Sequence, residues 1–150
     1  MTGKTWIENV TEELQDRKNR LDRDNEHLMT LRAEVMSVTA IQYTADKVQS
    51  SFLDDKLSKK FVQMDEISRR MFKEMEEYNQ YKAMCIHKLR KYVPNPTLSF
   101  CLERRHIDFK TVAQIAQEDN VTEICIKKRF NKAYNLLNSI YILEKYRKSC

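Results

Sequence analysis

The stretch Thr122-Glu-Ile-Cys-Ile-Lys-Lys-Arg-Phe-Asn-Lys132 carries the chain's densest set of groups able to recognise a polyanion. The ammonium groups of Lys127, Lys128 and Lys132 suit phosphates and guanine edges. The Asn131 amide can pair with adenine, and Glu123 can accept from the cytosine amino group. At helical spacing Ile124, Lys127, Lys128 and Asn131 share one face, with Lys132 alongside. Ile126, Phe130, Ala133 and Leu137 form an apolar stripe on the opposite face. A helix with one packed face and a lysine-rich face at its N-terminal end has the form of an element that enters the major groove. A run such as Lys127-Lys128-Arg129 is more commonly a plain solvated face. Here it coincides with the basic half of the molecule, which raises its weight.

Other chemistry is thinly represented. His27, His87 and His106 are far apart and read as surface or seam residues. Cys85, Cys101, Cys125 and Cys150 form no CxxC pair and have no His pair at zinc spacing, so free thiols are expected and no metal site. Glycine occurs once, at position 3, which leaves no phosphate-cradling loop. No enzyme and no cofactor are expected.

The lysine-rich segment needs a scaffold, and the preceding residues supply one. Two prolines in PNP (94–96) stop any helix that reaches them, and a domain boundary is expected there. Leu98, Cys101, Leu102 and Arg105 predict a short helix ending near His106, followed by a connection over 107–110. Thr111 reads as the N-cap of a compact helix over 112–118, flanked by Lys110. A turn follows at 119–121, and Thr122 caps a long helix over 123–146. Asn120 falls where the turn requires a left-handed backbone, which Asn tolerates best after Gly. Val112, Ile115, Ala116 and Val121 are expected in the corner between the two helices. The resulting DNA-binding set is Lys110, Thr111, Thr122, Glu123, Ile124, Lys127, Lys128, Asn131 and Lys132.

The N-terminal half is built differently. Ile7, Leu14, Leu21, Leu28 and Val35 recur every seventh residue. Val10, Leu31 and Val38 fill partner positions, and the charged Arg17 and Asp24 fill the other two. Residues 54–92 repeat the pattern with Leu57, Met64, Met71, Tyr78, Cys85 and Tyr92, widened by Phe61, Ile67, Met75, Tyr81 and Leu89. Residues 37–53 read as a connector that is not a continuous helix. The two periodic stretches can fold back as a helical hairpin or form a coiled coil. The heptads permit a homodimer, but an intramolecular hairpin would use the same apolar surface.

Charge divides the chain as the patterns do. Residues 1–84 carry 14 Lys/Arg against 16 Asp/Glu, a net of −2, while residues 85–150 carry 13 against 6, a net of +7. This is the balance of a spacer or assembly module beside a polyanion-binding module. The start MTGKTWIENV is not a signal peptide, and no apolar run approaches membrane-spanning length, so a cytoplasmic protein is expected. The fold class expected is all-α: a long N-terminal helical hairpin or coiled coil over 1–93, then a helix-turn-helix module over 94–150.

The segment FKTVAQIAQEDNVTEICIKKRFNKAYNLL resembles region four of bacterial sigma factors. Ile115-Ala116, Val121-Thr122, Ile126-Lys127 and Ala133 stand where that pattern has its matching residues, and Leu102, Arg105 and His106 end the preceding helix. The likeness spans about residues 94–140 and omits the promoter-melting region. As a whole the chain resembles small transcription regulators of Gram-positive phages and prophages, the ArpU/RinA type, with YTADKVQSS (43–51) among the shared features. The resemblance implies control of phage genes in a bacterial host through double-stranded DNA, with RNA polymerase as a further partner. Ile124 and Cys125 depart from it, standing where polar or small residues are usual. The alternative is a module that binds RNA polymerase or another protein without reading DNA.

Overall fold

A computed structural model describes residues 2–42 and 50–149, with side chains between positions 38 and 54 outside the description. The described chain is all-α. Its elements are α1 (Gly3–Gln42), α2 (Ser50–Tyr92), α3 (Pro96–His106), α4 (Val112–Glu118) and α5 (Glu123–Ser149), with no strand among the described residues. Helix extends into the expected connector from both sides, to Gln42 and from Ser50. The connector's Ser, Thr and Gln residues each cost a helix well under about 1 kcal/mol, and no Gly or Pro interrupts them. Most of the YTADKVQSS segment, residues 43–49, lies outside the described residues.

The chain divides into two compact units, residues 1–16 with 79–150, and residues 17–78. The prolines that end α2 fall inside the first unit, because the last turns of α2 bury Cys85, Leu89 and Tyr92 in its core.

In the first unit, local signals set each short helix. The Asn95 side chain accepts from the backbone N–H of Thr97 at 3.0 Å and of Leu98 at 3.4 Å, with Pro96 opening α3. Thr111 and Gln114 form a capping box on α4: the Thr111 hydroxyl accepts from Gln114 N at 3.2 Å, and the Gln114 side chain accepts from Thr111 N at 2.9 Å. The Thr122 hydroxyl accepts from Cys125 N at 3.3 Å at the start of α5. Between α4 and α5, Asn120 takes φ 52°, as its position predicts, and Val121 N donates back to Ala116 O at 3.0 Å. Phe109, in the α3–α4 connection, also has positive φ, at 57°.

Helices α3, α4 and α5 pack on one another. Leu102, Ile115, Ile126 and Leu137 are fully enclosed, each worth about 1.5–3 kcal/mol of burial. Ala116 is buried as expected, while Val112 and Val121 are only half-buried. Of the two arginines on α3 the buried one is Arg104, and Arg105 is exposed, one position away from the expected pattern. The chain's one glycine sits at a close approach: a Cβ on Gly3 would lie 2.5 Å from the Leu137 carbonyl oxygen of α5. Beside it, Lys4 N donates to the Asn138 side chain at 2.8 Å.

In the second unit, Leu28 and Leu31 of α1 meet Ile67 of α2, with Met64 and Met71 packed against them. Arg70 clasps Asp24 through two hydrogen bonds of 2.7 and 3.1 Å, and Lys60 pairs with Glu34 at 2.9 Å. These partners advance in opposite directions, so the two helices are antiparallel in this unit. Asp24, a charged residue in a heptad seam, is thus answered at its edge by an arginine of the facing helix. Phe61 and Met75 do not join the seam and are exposed, because one facing helix covers only part of so wide a stripe.

Candidate nucleic-acid interface

The first turns of α5 present Glu123, Ile124, Lys127, Lys128, Asn131 and Lys132 to solvent, while Ile126, Phe130, Ala133 and Leu137 are buried on the other side of the same helix. Packing against α3 and α4 fixes which face is inward, so the polar face is outward by default. Glu123 in the first turn is favourably placed at the positive end of the helix dipole. Thr122 is exposed at the start of this surface. Ile124 lies at its centre with 66% of its surface exposed.

The other two expected residues are engaged locally. Lys110 is half-buried and ion-paired with Glu118, and the Thr111 hydroxyl serves the α4 capping box. Arg129 also leaves the run of cations. Its guanidinium donates to Asp119 at 2.8 Å and belongs to the scaffold.

The centre of that scaffold is Arg104, a residue that sequence reasoning missed. Its guanidinium donates to both oxygens of Asp119, at 2.9 and 2.8 Å, and to Glu118 at 3.2 Å. It also lies 4.4 Å from the centre of the Phe100 ring. Two carboxylates at the C-terminal end of α4 oppose the helix dipole, and the three cations Arg104, Arg129 and Lys110 offset them. The hydrogen bond from Arg104 holds Asp119 below the usual carboxylate range, and those from Lys110 and Arg104 do the same for Glu118. The network ties the α4–α5 turn to α3. No sequence period marks a charged residue for burial, so nothing in the local pattern signalled it. The same cluster borders a groove of about 740 Å³, which Arg90, Phe100 and Arg129 also line.

His27 and His87 are exposed, but His106 is buried. The Thr11 hydroxyl donates to Ile7 O at 2.9 Å, so it accepts from His106 Nδ1 at 2.8 Å. That leaves Nε2 as the acceptor of the Tyr134 hydroxyl at 2.6 Å. Burial, reinforced by the charges of Arg105 and Lys4, pushes the imidazole down to about 4. This neutral, doubly bonded ring joins α1, α3 and α5. Cys85 and Cys101 are buried cysteines and Cys125 is half-buried. Among the described residues no three His, Cys, Asp or Glu side chains gather as a metal site, and no helix is long and apolar enough to cross a membrane.

Comparison of the chain with family models, curated proteins and solved structures finds no significant match.

Proposed function

We propose that the chain is a DNA-binding transcriptional regulator of the phage-encoded kind that it resembles, acting in the cytoplasm of a bacterial host. In this reading α4 and α5 form a sigma-like helix-turn-helix, α5 lies in the major groove, and the antiparallel α1–α2 pair is the helical hairpin of an assembly module. The observation that carries the reading is the exposed set Lys127, Lys128, Asn131 and Lys132 on the first turns of α5, directly after a capping threonine and the left-handed Asn120. Phosphates are neutralised by the lysines, and base edges are read by Asn131 and Glu123. Contact with RNA polymerase follows from the same resemblance.

Footprinting on DNA from the genome that encodes the chain, with unrelated DNA as competitor, tests the reading. A protected site that survives competitor is expected. Lys127→Ala with Lys128→Ala should weaken binding at every sequence and lower the salt slope by about 1 for each phosphate no longer neutralised. Unchanged affinity in that double variant would falsify the groove assignment.

A second reading is favoured by the exposure of Ile124 at the centre of the polar face, and by the groove beside Phe100. There the module grips RNA polymerase or another protein and reads no DNA. Ile124→Ser then abolishes partner capture from nuclease-treated lysate, whereas Lys127→Ala with Lys128→Ala leaves that capture intact.

A further inference from the structure

In the unit of residues 17–78 the heptad seam is already occupied, since Leu28, Leu31 and Ile67 bury one another. A separate set of large apolar side chains stays in water. At about 100° per residue, Met29 and Met36 fall on one flank of α1, turned from the seam by roughly a third of the circle. Phe61, Phe72 and Met75 fall on the flank of α2 reached by rotating in the same sense. In an antiparallel pair, equal senses of rotation lead to the same side, so these five residues line one face of the unit. Their exposures run from 49% at Met75 to 76% at Phe72. The opposite side is charged, with Arg23, His27, Glu66 and Lys73 exposed on it.

One exposed methionine or phenylalanine needs no explanation, but five along one face do. Their exposed fractions leave roughly 600 Å² of apolar surface on each copy, so two such faces can bury up to about 1,200 Å², which reaches the lower bound of a stable specific interface. By the same rotation the charges among and beside these side chains are Lys18, Asp22, Glu26 and Arg32 of α1 and Asp65, Arg69 and Glu76 of α2, three positive and four negative. A copy related by a two-fold axis therefore meets a mixed and nearly balanced set of charges. We propose that this face docks on the same face of a second copy, so that two helix pairs close into a four-helix assembly carrying two basic modules. The seam of heptad positions stays inside each copy. This inference stands on the 17–78 unit alone and is independent of whether the chain reads DNA.

Sedimentation equilibrium of the full chain at about 50 µM tests it, with far-ultraviolet circular dichroism on every variant. The wild type should have twice the mass of the 18.0 kDa chain. Met36→Gln with Phe72→Gln should dissociate at least tenfold more readily and keep its helicity. Glu66→Gln with Lys73→Gln, on the charged side, should remain dimeric. A wild type at single-chain mass overturns the proposal, as does a dimer that survives the Met36/Phe72 variant. Equal dissociation of the charged-side variant also overturns it. Loss of helicity in the Met36/Phe72 variant does so too, because it would mean that these side chains support the single copy and are not a free face.

Discussion

His106 and Arg104 show how single residues in the interior of the first unit depend on distant partners. The imidazole is neutral in the fold down to about pH 4, whereas an unfolded chain takes up the proton near 6.5. Between those values the unfolded state binds more protons, so stability is full above pH 6.5 and falls as the pH drops from there to 4. The loss is on the order of 3 kcal/mol if the whole shift is expressed. Urea midpoints measured across this range should decline in the wild type and stay nearly level in His106→Gln above pH 5. Asp119 and Glu118, whose pKa values are lowered, contribute a later loss, below the ordinary carboxylate range. For Arg104, replacement by Met removes the cation that Asp119 and Glu118 share while Arg129 and Lys110 remain, and a cost of about 1–3 kcal/mol is expected in urea melts. An equally stable Arg104→Met variant would show that the network is dispensable to the fold.

At the level of elements, the short helices depend on their caps and on the turn between them. Thr111→Ala removes one half of a reciprocal capping box and should lower stability by about 1 kcal/mol. Asn120→Ala places a Cβ-bearing residue without a local polar side chain at φ 52°, at a cost of about 1 kcal/mol, while Asn120→Gly should be neutral or slightly stabilising. Thermal melts should therefore fall for Asn120→Ala and hold or rise for Asn120→Gly. Gly3→Ala forces α1 and α5 apart, since the added methyl would meet the Leu137 backbone, and an overpacking cost of about 1–3 kcal/mol is expected. These boundaries were largely legible in the sequence. Caps, prolines and a left-handed asparagine act over a few residues, and the residues that define them are neighbours in the chain. The extent of helix into 37–53 was not, because the weak preferences of Ser, Thr and Gln are overridden once flanking turns are in place.

For the whole molecule, stability and recognition should separate. Lys127, Lys128 and Lys132 are exposed and take no part in the core, so their replacement by Ala should move stability by no more than about 0.5 kcal/mol. If DNA binding is the function, the same changes should weaken it strongly. Equilibrium melts and binding isotherms on one set of variants check both halves of this expectation, and a matching loss of stability would mean that the lysines serve the fold.

The all-α class, the end of α3, both limits of α4, the start of α5 and the inward stripe Ile126, Phe130, Ala133 and Leu137 were determined by the sequence itself, because propensity, capping and a 3.6-residue period are properties of contiguous chain. The tertiary structure decided which charges are interior. Arg104 is buried and Arg105 is not, because Asp119 and Glu118 arrive from the end of another helix to neutralise it. It also decided that Arg129 leaves the basic run for Asp119, and that Phe61 and Met75 stay in water beside a seam only one helix wide. A periodic pattern states which residues share a face. Only the position of the partner helix states how much of that face is covered.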